Sequence, residues 1–145
     1  MDGIVIRLAA LDDASAITAL VAKLGYVTPE NDVACRLAEL FQQPNHAIYV
    51  AAFPDGPVVA WIDLYIHRSL MDNPLVMVGG LVVDAGQRGK GIGRRLMEHA
   101  EAWGRARGCD AVYLKTRVDR HAAHAFYEHL GYRNLKAQYA FRKEL

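Results

Sequence analysis

The stretch LVVDAGQRGKGIG, at residues 81–93, runs from an apolar strand through a glycine-dense turn into a helix. Closely spaced glycines let several backbone N–H groups point at one position, and the start of a helix adds about half a positive charge there. Arg88 and Lys90 place two cations in the same turn. This arrangement predicts a loop that binds the pyrophosphate of a ligand.

Two other phosphate-binding motifs fit this stretch less well. A P-loop needs a Lys followed by Ser or Thr, whereas Lys90 is followed by Gly91. A dinucleotide-binding fold places Gly-x-Gly-x-x-Gly on its first strand and helix, whereas Gly89, Gly91 and Gly93 alternate and come late in the chain. A flexible turn without function is the simplest alternative, but it would not require three alternating glycines beside two cations.

The segment from Arg88 to Gly93 resembles the Arg/Gln-x-x-Gly-x-Gly/Ala pyrophosphate loop of the GCN5-related N-acetyltransferase (GNAT) family, and Leu-x-Val precedes it here as it does there. The resemblance implies that acetyl-CoA is the co-substrate. It also implies that the pantetheine arm and the thioester carbonyl bind the strand backbone at Leu81, Val82 and Val83. The pyrophosphate is then expected on the amides of Arg88, Gly89, Lys90, Gly91, Ile92, Gly93 and Arg94.

A second motif, RHAAHAFYEHLGY at residues 120–132, resembles the family's Asn-x-x-Ala-x-x-Phe-Tyr-x-x-x-Gly-Phe/Tyr segment. Arg120 stands where Asn is commoner. The resemblance assigns coenzyme contacts to Arg120, Ala123, Phe126 and Tyr127. The same segment is also similar to that of aminoalkylphosphonate acetyltransferases, a branch that acts on small substrates.

Two residues are expected to carry the chemistry. An N–H of Leu81 at the acetyl oxygen would stabilise the oxyanion that forms there, a contribution of about 3–4 kcal/mol for one donor. By resemblance, the phenol of Tyr127 lies near the coenzyme sulfur. A phenol is protonated at neutral pH and can donate to the departing thiolate as a general acid. A packed Tyr with a satisfied hydroxyl is the alternative.

The general base is missing from its usual place. Many relatives carry Glu just before Leu-x-Val, where this chain has Gly80. The remaining candidates are Asp63, Tyr65 and His67 on the preceding strand, Asp84 after the motif, or a chain of water molecules. A packed or surface role is the simpler interpretation of each side chain. The sequence therefore predicts that no single carboxylate acts as the base, and that Asp63→Asn and Asp84→Asn each keep most of the activity.

The whole chain fits a mixed α/β fold. Strands are predicted at residues 4–8, 46–53, 58–67, 75–83, 111–116 and 138–141, with a bulge at Gly79 and Gly80 and a hairpin turn at residues 54–57. By resemblance this is a GNAT-like fold. It has a central, mostly antiparallel, splayed sheet of about six to seven strands, and about four helices in total are distributed over the two faces of the sheet. Its 145 residues suit one domain, 1–145.

Composition limits the partners. Lys and Arg number 17 against 16 Asp and Glu, so the net charge of +1 favours neither nucleic acid nor an anionic membrane. No apolar run approaches the roughly 20 residues that span a bilayer. Cys35 and Cys109 lack metal or redox spacing and are expected to be small buried residues in a protein of the reducing cytoplasm. The histidines at positions 121, 124 and 129 do not predict a metal site.

The predicted function is the direct transfer of acetyl from acetyl-CoA to a primary amine in a ternary complex. A non-catalytic module that binds acetyl-CoA as a sensor or scaffold is the main alternative, and Gly80 is its best support. A fragment of a dinucleotide-binding oxidoreductase is disfavoured, because the glycine-rich motif comes late in the chain and not on the first strand and helix. The acceptor stays open among polyamines, aminoglycosides, aminophosphonates, amino acids and protein amines, with residues 25–33 and 67–74 as its expected walls. A homodimer through the C-terminal strands is a further expectation.

Overall fold

The computed structural model describes residues 3–145 and contains two compact units, one ending at Leu114 and the other spanning Lys115–Leu145. The first unit holds one five-stranded sheet in the order β1-β2-β3-β4-β5, in which β1 to β4 are antiparallel neighbours and β5 is parallel to β4. The elements of the chain are β1 (Val5–Leu8), α1 (Ala14–Ala22), α2 (Glu30–Leu40), β2 (His46–Ala52), β3 (Val58–His67), β4 (Leu75–Val83), α3 (Ile92–Ala106), β5 (Val112–Tyr113) and α4 (His121–His129). Between β1 and α1 lies a short 3-10 turn, Leu11–Asp13.

Helices cover both faces of the sheet. On one face, Ile48 and Val50 of β2 pack with Ile17 of α1 and Leu37 of α2 in a buried cluster. Side chains alternate between the faces of a strand, so Tyr49 points to the other side, where its ring meets His99 of α3. The α3 residues Leu96, Met97 and Ala100 are fully buried. The predicted arrangement of helices on both faces is confirmed.

The hairpin between β2 and β3 follows from its turn chemistry. Pro54 and Pro57 have no N–H to donate to a ladder, and Gly56 fits the turn between them. The N–H of Gly56 donates to the Phe53 carbonyl at 2.9 Å. The strands on either side pair in register, with Val50 opposite Trp61. This register decides which side chains of the two strands share a face.

The sheet is shorter than predicted at its C-terminal end. It has five strands rather than six or seven, and β5 spans only Val112–Tyr113 instead of residues 111–116. The expected strand at residues 138–141 is wrong, because the structure assigns no strand after Tyr113 in the described part of the chain. A strand exists only as a partner in a ladder, and the apolar residues Tyr139 and Phe141 stay exposed instead.

The cysteines behave differently from each other. Cys109 is buried as expected, but Cys35 is exposed, so that expectation is wrong for Cys35. Cys35 lies on α2 two residues before Leu37, and residues two apart on a helix do not share a face. In residues 3–145, no helix is long and apolar enough to cross a membrane.

An ion pair between a half-exposed Arg7 and a buried Asp13 fixes the start of the fold. The guanidinium of Arg7 on β1 donates to both carboxylate oxygens of Asp13, at 2.7 and 2.9 Å, and the N–H of Ala10 donates to the same carboxylate at 2.7 Å. The hydrogen bond from Arg7 is the main cause that holds the pKa of Asp13 below its usual value, against the opposing effect of burial. This carboxylate thus ties β1 to the entry of α1.

Replacing Asp13 is expected to destabilise the fold. Asp13→Asn turns an acceptor into an N–H₂ group facing Arg7, and the loss should be about 1–3 kcal/mol of unfolding free energy at pH 7. Because the pKa of Asp13 is lowered on folding, its stabilisation is present above the unfolded pKa of about 3.9 and is lost as the pH falls through the folded pKa. Urea unfolding of both proteins should therefore give a difference that shrinks in acid.

The exposed neighbour Asp12 provides a matched control. Asp12→Asn should leave the unfolding free energy within about 0.5 kcal/mol of the parent. Equal stability of the Asp13→Asn protein and the parent at pH 7 would contradict the structural role of this pair.

Candidate functional site

Strand β4 has one edge that is only partly paired. Along β3 it is paired up to Val83, but β5 meets it only at Val76 and Met77. Among the described residues, no strand lies against the β5 side of β4 beyond Met77. The second half of β4 therefore offers an open backbone edge to an extended ligand.

A bulge decides which backbone groups face that edge. Asp63 lies opposite Gly80 and Leu64 opposite Val78, so Gly79 is an extra residue in β4, as the double glycine predicted. After the bulge, the N–H of Asp84 donates to the Val59 carbonyl of β3 at 2.8 Å.

Hydrogen-bonded pairs alternate along an antiparallel ladder, so Val82 also pairs with β3. The backbone groups of Leu81 and Val83 then point away from β3, to the open edge. An exposed contact agrees with this direction: Arg88 Nε donates to the Val83 carbonyl at 3.4 Å. The side chain of Val82 is buried, and its backbone is not at the edge.

The glycine-rich loop follows directly and leads into α3. Gly89 and Gly91 have φ values of 78° and 81°, in the left-handed region that favours glycine. Gly91 is the N-cap of α3 and has no side chain to cap the first turn, so its N–H groups are left for an external acceptor.

The side chains around the loop are either buried against the core or exposed and positively charged. Ile92 is buried and holds the first turn of α3, and Gly93 beside it is half-buried. Arg88, Lys90 and Arg94 are exposed. Backbone donors at a helix start with cations around them suit a pyrophosphate, so the residues present fit the ligand that the sequence predicts.

The left-handed backbone at Gly91 generates a prediction for coenzyme binding. Gly91→Val should abolish detectable binding of acetyl-CoA in calorimetry, since a β-branched residue forces the backbone to move and each lost charge-assisted hydrogen bond weakens binding by roughly tenfold or more. No atom lies within 4 Å of the position of a Cβ at residue 91, so the strain is confined to the backbone.

Gly108 is the matched control for this strain. Its φ is 79°, no atom lies within 4 Å of its Cβ position, and it follows the other end of α3. Gly108→Val should lose a similar amount of stability and bind acetyl-CoA like the parent. Unchanged affinity in Gly91→Val would show that the loop does not bind the pyrophosphate.

The second unit holds the other motif in α4. Arg120 is the N-cap of this helix, and Ala123, Phe126 and Tyr127 are half-buried. The ring of Tyr127 makes edge contacts with Phe126 and Tyr132, at centroid distances of 5.0 and 6.1 Å. The helix ends where the N–H of Tyr132 donates to the Tyr127 carbonyl at 3.0 Å.

The environment of Tyr127 keeps its hydroxyl protonated. Burial raises the pKa of the Tyr127 phenol, and the charge of Arg120 opposes this in part. The group therefore carries its proton throughout neutral pH, as a proton donor must.

In the same helix, His121 and His124 share a face, with their rings 5.7 Å apart, and His124 contacts the Arg117 carbonyl at 2.8 Å.

The ring of Trp61 packs closely against Gly80. A Cβ at residue 80 would lie 2.8 and 2.9 Å from two ring carbons of Trp61 on β3. Trp61 in turn packs against the cluster under α1 and α2. The ring occupies the space that an acidic side chain on β4 would need.

The four candidates for the base have different surroundings. Asp84 pairs with Lys23 at 2.7 Å, which is the main cause that lowers the pKa of this carboxyl and makes it a weak proton acceptor. Asp63 forms a short hydrogen bond with His46 Nε2, and the ring of Tyr65 stacks on His46 with centroids 5.6 Å apart. His67 ends β3.

The sequence interpretation missed His46. The signal that could have found it is the hairpin itself: counting outward from the turn at residues 54–57 brings the start of β2 opposite the end of β3. His46 pairs with Tyr65 in this register, beside Asp63.

Comparisons of the sequence with known proteins point to one family. The sequence pattern of the "Acetyltransferase (GNAT) family" matches residues 15–132. Aminoalkylphosphonate N-acetyltransferase of Salmonella typhimurium is 30% identical over 146 residues, covering 97% of this chain and 90% of that protein. Aminoglycoside N(6')-acetyltransferase type 1 of Stenotrophomonas maltophilia is 26% identical, covering 97% and 93%.

Solved structures agree in fold. AAC(6')-Iy in complex with the bisubstrate analog CoA-S-monomethyl-acetylneamine superposes with a TM-score of 0.85, covering 98% of this chain and 99% of that one. At 20% identity this similarity concerns the fold alone.

Proposed function

This chain belongs to the GNAT family of acetyltransferases, and we propose that its acceptor is the primary amine of a small molecule. It is an acetyl-CoA-dependent N-acetyltransferase. The observation that carries the mechanism is the open edge of β4, where the backbone of Leu81 and Val83 leads directly to the glycine-rich loop. Acetyl-CoA supplies the activated acetyl group as a thioester.

Each part of the chain has one task in this mechanism. The loop from Arg88 to Arg94 binds the pyrophosphate, and the edge at Leu81 and Val83 binds the pantetheine arm as an added strand. The N–H of Leu81 stabilises the negative charge that develops on the acetyl oxygen. The phenol of Tyr127 donates a proton to the departing sulfur.

Similarity supports a small acceptor. Two relatives that align over nearly the whole chain carry the names of aminoalkylphosphonate and aminoglycoside acetyltransferases. N-alpha-acetyltransferase 80 of Mus musculus is 45% identical, but over only 43% of this chain and 19% of that protein. The expected acceptor walls, residues 25–33 and 67–74, expose Val27, Leu70 and Met71, so apolar contacts are available beside polar ones.

Coenzyme release with a panel of amines tests this function. Kanamycin, aminomethylphosphonate, spermidine and a peptide with a free N-terminus should be compared, with free thiol as the measured product. We expect release with at least one small amine, and none with the Gly91→Val protein. If only the peptide causes release of free thiol, the acceptor is a protein amine and not a small molecule. If acetyl-CoA binds but no amine causes release of free thiol, the sensor alternative is favoured.

The role of Tyr127 is tested by removing its hydroxyl. Tyr127→Phe should lower turnover by roughly ten- to a thousandfold, since the phenol stabilises the thiolate in the transition state more than in the ground state. The ring contacts with Phe126 and Tyr132 persist, so stability and acetyl-CoA affinity should change little. Turnover at the parent rate across the pH range would reassign Tyr127 to packing.

Further properties belong to the same proposal. One domain spanning 1–145 is supported by the family match, which runs from residue 15 to residue 132 through both compact units. A cytoplasmic location is supported by the unpaired Cys35 and Cys109. A homodimer is supported by the exposed alternation of Tyr139 and Phe141, which a second chain could cover.

A further inference from the structure

Asp63 brings a carboxylate to the bulge of β4. It lies opposite Gly80 in the register, and its Oδ2 atom is 3.1 Å from the position that a Cβ on Gly79 would occupy. The side chain is 28% exposed, so a ligand and water can reach it. This oxygen therefore lies beside the glycine bulge of β4, which directly precedes Leu81.

His46 holds this carboxylate in place. Its Nε2 atom is hydrogen-bonded to Oδ1 of Asp63, which leaves Oδ2 directed at the bulge. Tyr65 stacks on the other side of the imidazole, with an angle of 19° between the rings. The titratable side chains grouped here are thus His46, Asp63 and Tyr65, while β4 contributes glycines alone at its bulge.

We infer that Asp63 is the catalytic base and that His46 is its positioning residue. The ring of Trp61 fills the space that a side chain at residue 80 would need, so the carboxylate on this face comes from β3. This inference rests on the proposed function, since it concerns the acceptor amine of the same reaction. It replaces the sequence-based expectation that no single carboxylate acts as the base and that Asp63→Asn keeps most of the activity.

The proton balance of the step is simple. An acceptor ammonium has no lone pair until it loses one proton, and Oδ2 of Asp63 takes that proton. The nitrogen then forms the N–C bond to the acetyl carbon as the C–S bond breaks. The Tyr127 phenol gives its proton to the sulfur, which leaves as a thiol, and the second proton of the nitrogen restores the phenol. The proton on Asp63 leaves to water through the exposed part of the side chain.

Two substitutions separate the roles. Asp63→Asn keeps the shape and removes the base, so kcat with the amine acetylated best in the panel should fall by roughly a hundredfold or more. His46→Gln leaves the carboxylate but releases its orientation, so a smaller loss is expected, on the order of tenfold. His99→Gln is the control, because His99 contacts Tyr49 on the opposite face of the sheet, and it should keep the parent rate.

A rescue variant tests the position of the carboxylate rather than the stability of the fold. The backbone at Gly79 lies outside the left-handed region, and once Asp63 is truncated the next atom near a Cβ there is Tyr65 Cε1 at 3.6 Å. The double variant Asp63→Ala with Gly79→Asp should therefore fold. Its kcat should be at least about tenfold higher than that of Asp63→Ala alone. No recovery, with unchanged acetyl-CoA affinity, would count against the inference.

Two readouts distinguish failure of this inference from failure of the proposed function. In Asp63→Asn the rate should depend on the fraction of unprotonated amine, rising about tenfold per pH unit below the pKa of the acceptor, and the parent should depend on it less. Calorimetry of kanamycin into coenzyme-saturated protein should show weaker binding for Asp63→Asn than for the parent. Equal rates and equal kanamycin binding in both proteins would overturn the role of Asp63, whatever amine the parent acetylates.

Discussion

The bulge in β4 is the constraint on which the rest of the site depends. Before the bulge, the N–H of Val76 donates to the Ala111 carbonyl, so the backbone groups of every second residue from Val76 point towards β5. The extra residue Gly79 shifts this alternation and brings Leu81 and Val83 to the same edge, where no strand follows in the described chain. Without the shift, every side chain after the bulge would change faces, and the backbone groups at the open edge would belong to other residues.

The glycines of the bulge also decide what lies beside it. Gly80 allows the ring of Trp61 to lie against β4 at a distance that no Cβ would permit. This packing leaves the buried indole Nε1 of Trp61 without a hydrogen-bond partner among the described residues, at a cost of about 1–3 kcal/mol that burial of the ring must offset. Gly79 leaves room on the same face for the carboxylate of Asp63. A single pair of small residues thus shapes both the open edge of β4 and the face where the acceptor is expected.

Most of the fold could be predicted because its signals are local. The bounds of β3 and β4 match the apolar runs at residues 58–67 and 75–83, and the turn at residues 54–57 produces the expected hairpin. Gly89 and Gly91, two of the alternating glycines of the loop, have left-handed backbone. The expected strand at residues 138–141 failed because alternation in a sequence is necessary for a strand but does not provide the neighbour that it must pair with.

The sequence by itself determined the family and the co-substrate and predicted the loop proposed to bind it, since these depend on backbone conformations that Gly residues encode at fixed spacing. Only the tertiary structure decided which groups surround the bulge. His46 and Asp63 are 17 residues apart, and nothing in either local segment relates them. Their contact exists because the hairpin register sets His46 opposite Tyr65, and because the ring of Trp61 excludes an acid at Gly80. Side-chain pairs across strands depend on register and packing, which become defined when the sheet forms.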